Sequence, residues 1–293
     1  MKNRFLLALC SLLFVSVISF NGTTVDAATA KKKVSIKYAG GNYYGEVKNG
    51  KPNGKGTMQW GANKTYSGDW VDGKRSGYGK FVNKTEYADD GFVPPRITTT
   101  KTIYNGQWKS DKQNGEGYLL AGDDGPVSQF FSSVEKGTFK NNAFIKGYTR
   151  EEQGLYYLTY GYKDSNTKLE IDVASDFFDR DASFRENKTF RKTTSGIEGY
   201  SQVTYTTIDK KGNKNGISYN INTEFTEVYN AGVPQIREFE VIKTVNGKIK
   251  DKYSPDGEIE VLTAKSQILK IISLHASGLD KVDALAKGFT RGF

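Results

Sequence analysis

The stretch Tyr66-Ser67-Gly68-Asp69-Trp70-Val71-Asp72-Gly73, followed by Gly77-Tyr78-Gly79, decides the reading of this chain. Side chains alternate between the two faces of a strand. Tyr66, Gly68 and Trp70 therefore share one face, and Ser67 and Asp69 point to the other. On the returning run Gly77, Gly79 and Phe81 share a face. The unit pairs an aromatic-Gly-aromatic strand with a Gly-Gly-apolar strand. Bare glycine main chain leaves room for a neighbouring ring to lie flat on it. One hairpin cannot bury such a face alone, so units of this kind must stack.

The unit recurs on both sides. Upstream stand Tyr43, Gly45 and Val47, then Gly50, Gly54 and Gly56; downstream stand Tyr104, Gly106 and Trp108, then Gly115 and Gly117, with Asp111 in place of the mid-unit glycine. The polar run Asn49-Gly50-Lys51-Pro52-Asn53 reads as a hairpin loop. A fourth, degenerate copy has Gly137-Thr138-Phe139 and Gly147-Tyr148, with Glu135 in the place of tyrosine. Between the second and third units lies an insertion, 84–101, with Ala88-Asp89-Asp90-Gly91 and Pro94-Pro95. The proline pair excludes a central strand there. The insertion reads as a surface excursion or as a recognition loop on a rigid scaffold.

These segments resemble the MORN repeat family, over residues about 41–150. The resemblance implies an elongated antiparallel sheet of stacked β-hairpins and a scaffolding or interaction role. It also implies an anionic membrane surface as one partner class. It does not extend over 151–293.

The second half is read as a β-meander that continues the sheet or packs beside it, so the fold class is mainly β. Leu155–Tyr162 is strand-like. Ser201–Ile208 and Ile217–Phe225 flank Asp209–Gly216, where Asn215-Gly216 is a turn signal; Asn246-Gly247 marks another hairpin between Arg237–Lys243 and Lys248–Tyr253. The tail changes period. Ile268, Leu269, Ile271, Ile272 and His275 recur at helical spacing, as do Leu279, Val282, Leu285 and Phe289. That spacing predicts two short helices within about 263–289, broken at Gly278 and capping the sheet. Lys265, Lys270, Lys281, Lys287 and Arg291 offer the alternative of a basic helix on a membrane surface. Asp280 and Asp283 dilute that basic face.

The N-terminus reads as a secretory signal peptide, residues 1–30. Lys2 and Arg4 precede the apolar run Phe5–Phe20, and small residues follow at Val25-Asp26-Ala27 and Ala28-Thr29-Ala30. Domain bounds are then 1–30, a repeat array at 31–150 and a β-rich region with C-terminal helices at 151–293. The one cysteine, Cys10, lies inside the apolar run. A mature chain without cysteine excludes disulfides, thiolate metal sites and a cysteine nucleophile. Such an exported chain points to a Gram-positive-type bacterium, with the protein secreted or held at the envelope. The net charge of +9 comes from lysines spread along the whole chain and reads as a solvated surface.

Little in the chain points to catalysis. There is one histidine, His275, inside an apolar helical pattern, whereas a triad needs an oriented imidazole and a His-based metal site a second ligand. Asp172, Asp176, Asp179 and Asp181, with Glu186 beyond, lack the spacing of an EF-hand. No glycine loop leads from a strand into a helix to cradle phosphate. The expectation is therefore no catalytic residue, cofactor, metal or nucleic-acid partner. The candidate structural or contact residues are Tyr43, Tyr66, Trp70, Tyr104 and Trp108, with the repeat glycines Gly45, Gly54, Gly56, Gly68, Gly77, Gly79, Gly106, Gly115 and Gly117. The expected function is an exported interaction scaffold for a protein or an envelope polymer. The alternatives are a wall-glycan or anionic-membrane binder, and a carboxylate-dependent hydrolase in 151–293.

Overall fold

The computed structural model describes residues 32–89, 94–123, 131–154, 157–173, 200–224 and 235–290. The signal-peptide reading of 1–30, Asp176 to Asp181, Glu186 and Arg291 lie outside the described residues. From Lys33 onward the chain forms one compact unit.

Among the described residues, fifteen strands form a single antiparallel sheet in which spatial order equals chain order. They are β1 (Lys33–Tyr38), β2 (Gly41–Lys48), β3 (Lys51–Trp60), β4 (Lys64–Val71), β5 (Lys74–Asp89), β6 (Arg96–Lys109), β7 (Lys112–Asp123) and β8 (Phe131–Lys140). There follow β9 (Ala143–Gln153), β10 (Tyr157–Lys163), β11 (Thr167–Val173), β12 (Tyr200–Ile208), β13 (Lys214–Glu224), β14 (Gln235–Val245) and β15 (Lys248–Tyr253). A single helix, α1 (Glu258–Thr290), closes the described chain.

The repeat hairpins turn through two residues, not the five read from Asn49–Asn53. Asn49-Gly50 and Asp72-Gly73 both take positive φ, the pairing that matches strand twist. Lys51, Pro52 and Asn53 already belong to β3. The insertion is not a loose loop. It prolongs β5 and β6 into a ribbon paired as far as Asp89 and Arg96. Pro94 and Pro95 fall outside its strands, as a missing N–H requires.

Three second-half expectations shift. The β12–β13 hairpin forms, but its turn is Asp209–Asn213. There the Asp209 carboxylate accepts from the N–H groups of Lys211 and Asn213 at 2.8 and 2.9 Å. Asn215 and Gly216 are ladder residues opposite Thr207 and Thr206. The helix starts at Glu258, because the alternation of Glu258-Ile259-Glu260-Val261 serves a helix as well as a strand. Val261 and Ala264 pack on the sheet, and the two glutamates meet the positive end of the helix dipole. Finally, Gly278 does not break the helix. A Cβ there would stand 2.1 Å from the Tyr148 ring, so the glycine admits the tyrosine and α1 runs through.

Helix α1 lies across one face of the sheet and travels back along it. Near its start Gln267 accepts from the Tyr219 hydroxyl of β13 at 3.0 Å. Midway His275 sits among Tyr148, Tyr162 and Tyr205. Towards its end Asp283 accepts from Arg150 Nε at 3.1 Å and from the Tyr160 hydroxyl at 2.8 Å, both buried. Phe289 reaches Gly122 of β7. Leu120, Val134, Ile171, Val203 and Val241 complete this core from the sheet side.

Two outcomes follow from this packing. Gly278→Ala should cost about 2 kcal/mol by overpacking against Tyr148, read as a lowered thermal midpoint. The His275 imidazole is held below its ordinary pKa by burial, partly opposed by Asp164. Its neutral form therefore suits the fold, and the unfolded chain binds more protons. The contribution is present above the unfolded value of about 6.5 and is lost as pH falls below it. A His275→Gln variant should lose less stability than the parent when the pH is lowered from 7 to 5. An identical pH dependence would count against this assignment.

Candidate functional site

The repeat glycines form one row. Gly45 pairs with Gly56, Gly56 with Gly68, Gly68 with Gly79 and Gly79 with Gly106; Gly106 pairs with Gly117, Gly117 with Gly137 and Gly137 with Gly147. The row crosses β2 to β9 without interruption. On it lie the tyrosines. A Cβ on Gly56 would meet the Tyr43 hydroxyl at 2.2 Å, one on Gly79 the Tyr66 hydroxyl at 2.2 Å, and one on Gly117 the Tyr104 hydroxyl at 2.7 Å. Each ring thus covers a glycine of its own hairpin. The link between hairpins is tryptophan: Trp70 Nε1 donates to Gly56 O at 3.1 Å and Trp108 Nε1 to Gly79 O at 3.0 Å, each one hairpin back.

The rings close into a ladder of edge-to-face contacts. Centroids stand 5.5 Å apart for Tyr43–Trp70, 5.0 Å for Tyr66–Trp70, 5.4 Å for Tyr66–Trp108 and 5.0 Å for Tyr104–Trp108. Phe139 of the degenerate fourth hairpin continues it at 5.1 Å from Tyr104. All five candidate aromatics are buried. Each tyrosine hydroxyl donates to a carbonyl three residues on, Glu46, Asp69 or Gln107, at 2.8 to 3.0 Å. Burial first, then Glu46, pushes the Tyr43 phenol up to about 12; burial, Glu116 and Tyr78 push Tyr104 up to about 12. These hydroxyls therefore remain donors at neutral pH.

Sequence reading missed a second set of recurrent residues. Glu46, Asp69 and Gln107 follow the first glycine of each unit. Their side chains accept from the main chain of the returning strand, at Lys55, Tyr78 and Glu116, at 3.2, 2.9 and 2.8 Å. Gly54, Gly77 and Gly115 lie beneath them with positive φ. A Cβ there would strike the carboxylate or amide at 2.6 Å or less. The signal was present in the repeat: an acid or amide always stands between the glycine and the Trp or Val position. Asp111 is also more than a lost glycine. Its carboxylate accepts from Arg75 N and Nε at 2.9 and 3.1 Å, clipping the third hairpin to the second.

The other face of the sheet carries α1 from β7 onward. Among the described residues, the packed core of α1 meets none of β1 to β5 on this face; on β6 it meets Ile103, and the Lys101 ammonium lies 5.6 Å from the centre of the Phe289 ring. Directly paired residues on this face run Tyr44, Thr57, Ser67, Lys80, Asn105, Tyr118, Lys136, Tyr148. Tyr44 and Tyr78 are 57% and 59% exposed. Lys84 stands directly opposite Lys101. Among the described residues no group of three or more His, Cys, Asp or Glu side chains is placed to hold a metal ion. Asp172 sits on β11, its carboxyl pushed up by burial and then by Glu170.

Fold and site together define a class: an open sheet of stacked β-hairpin repeats locked by a glycine row and an aromatic ladder. The comparison with known proteins agrees. The model of the MORN repeat matches residues 43–64, 66–84 and 104–123. MORN repeat-containing protein 3 of Xenopus laevis is 36% identical over 83 residues, covering 27% of this chain and 29% of that protein. Alsin of Rattus norvegicus and of Homo sapiens is 32% identical over 100 residues, covering 34% of this chain and 5% of Alsin. The likeness to MORN repeats is thus confined to these three stretches, and the chain spans under a third of the length of these relatives. The β8–β9 hairpin lies beyond the matched stretches, yet it continues both the glycine row and the ladder.

Proposed function

We propose that this chain is an exported scaffold that holds a protein or polymer of the cell envelope on the uncovered face of its repeats, and that it is not an enzyme. One observation carries the reading. The conspicuous aromatics of the repeat are consumed by the ladder, while among the described residues the opposite face from β2 to β5 is polar, lysine-bearing and outside the packed core of α1. A rigid sheet with one bare face suits recognition better than turnover. The basic n-region, apolar run and small residues of 1–30 support export.

The test is cell fractionation in a Gram-positive host, comparing the full chain with one beginning at Lys31. The full chain should appear in the medium or envelope and the shortened one in the cytoplasm. The purified chain should be retained on isolated envelopes. Equal cytoplasmic recovery of both forms, or no retention on envelopes, would overturn the proposal.

A further inference from the structure

Helix α1 carries apolar residues on two sides. Ala264, Ile268, Ile272 and Leu279 face the sheet and are buried on it. A second row faces outward. Ile259, Leu262, Ser266, Leu269, Ser273 and Ala276 stand three and four residues apart in turn, the a and d places of a heptad pattern. Ile259 is 81% exposed, Leu262 56% and Leu269 46%, and Leu274, 68% exposed, borders the row. Asp280 takes the next a place and ends it. A helix that is apolar on opposite sides is ordinarily covered on both, and the sheet covers one. The hydroxyls along the row are already engaged. Ser273 Oγ donates to Lys270 O at 2.8 Å and Thr263 Oγ1 to Ile259 O at 2.7 Å. Each therefore meets an apolar neighbour without leaving a donor unpaired.

The order of sizes along the row names its occupant. From Ile259 to Ala276 it runs large, large, small, large, small, small. Reversed and laid on itself, with each a place against a d place, it sets every large side chain on a small one. Ile259 meets Ala276, Leu262 meets Ser273 and Leu269 meets Ser266, the alternation that close packing asks for. The same register brings Lys270 beside Thr263, so no lysine lies directly opposite another. A parallel pair would instead stack leucine on leucine and serine on serine. A membrane surface fits less well. A helix lying in a bilayer interface has an unbroken apolar side bordered by cations, whereas Ser266 and Ser273 interrupt this row and Glu258 and Glu260 flank its start.

We propose that two copies of this chain pair through the outer sides of their α1 helices, antiparallel about a two-fold axis level with Gln267 and Ile268. The contact is the same patch on both copies, as a two-fold interface requires. The pairing goes beyond the scaffold reading and does not rest on it. The row lies over the second half of the sheet, where Gln267 meets Tyr219 of β13 and His275 meets Tyr148 of β9. The face from β1 to β5 stays open in both copies. The row is shorter than the roughly three heptads that sustain a coiled coil, so the pair dissociates on dilution.

The experiment is sedimentation velocity, over rising protein concentration, of the chain from Lys31 onward, which holds the whole compact unit. A monomer–dimer equilibrium is expected. Leu262→Ser alters an exposed side chain and should leave the circular dichroism and melting of the dilute chain unchanged. It removes a large residue from two symmetry-related layers, so the dimer should weaken about a hundredfold, roughly tenfold for each. Adding Ser273→Leu exchanges the sizes within those layers and should restore pairing. This chain has no cysteine, so a single one reports geometry. A short bis-maleimide should link chains carrying Ser266→Cys, near the axis. It should spare those carrying Ser273→Cys, which lie about 16 Å apart along the helices. A monomer at every concentration, an undiminished dimer with Leu262→Ser, no recovery in the double variant, or equal linking at the two cysteines overturns the proposal. So does sedimentation of a monomeric chain with phosphatidylglycerol vesicles that Leu262→Ser abolishes, since the outer side of α1 would then be a membrane surface.

Discussion

Trp108→Ala is expected to cost about 4 kcal/mol, the middle of the range for deleting a buried tryptophan. With a chain of this size that is roughly a 10 °C fall in the thermal midpoint. The indole is 5% exposed and sits edge-on to Tyr66 and Tyr104. Its other neighbours are Phe81 at 6.3 Å and the Arg75 guanidinium at 4.3 Å from the ring centroid. The loss is larger than a cavity. Gly79 O loses the donor that ties the third hairpin to the second, and a buried acceptor without a partner adds its own cost. Trp108→Phe should recover part of the packing and none of that bond, landing between the two. The checks are thermal and denaturant melts. A Trp108→Ala chain melting within a degree or two of the parent would remove tryptophan as the coupling element.

Gly79→Ala is expected to cost about 3 kcal/mol although it adds one methyl, the upper part of the overpacking range. The new Cβ would lie 2.2 Å from the Tyr66 hydroxyl and 2.4 Å from Cζ. Tyr66 has nowhere to go: it is fully buried, clamped edge-on between Trp70 and Trp108, and its hydroxyl donates to Asp69 O at 3.0 Å. Gly288→Ala is the internal comparison. That glycine lies in α1 with nothing within 4 Å of a built Cβ, so the same substitution should be neutral or stabilise by about 0.5 kcal/mol. Equal effects at the two sites would show that helix and strand propensity, not ring contact, governs these glycines.

What was readable in advance follows a physical division. The glycine and aromatic positions were legible because they are forced: only glycine fits beneath a tyrosine ring, and only a long indole reaches the previous hairpin. The strands and the turn at Asn246-Gly247 were legible for the same reason. Asn215-Gly216 misled, because Asp209 builds a hydrogen-bonded loop just before it and outcompetes the shorter turn. Gly278 misled because its task is tertiary: it clears space for Tyr148, which is 130 residues away in the chain and invisible to local propensity. Alternation assigns Glu46, Asp69 and Gln107 to the face away from the rings and says nothing of the register shift that brings the main chain under them. The candidate site was the least legible of all. The repeat's visible aromatics point to one face, while the uncovered strip is defined only by where α1 lies.

The central claim is that tryptophan carries each hairpin's hold on the one before it. Its most direct test is hydrogen exchange of the three indole N–H groups, followed by NMR. Trp70 and Trp108 donate to Gly56 O and Gly79 O from 3% and 5% exposure, whereas the Trp60 indole bonds Ala39 O at an exposed site. Two slowly exchanging indole protons and one fast one are the expected outcome. Rapid exchange at Trp70 and Trp108, at the rate of Trp60, would contradict the ladder and the scaffold built on it.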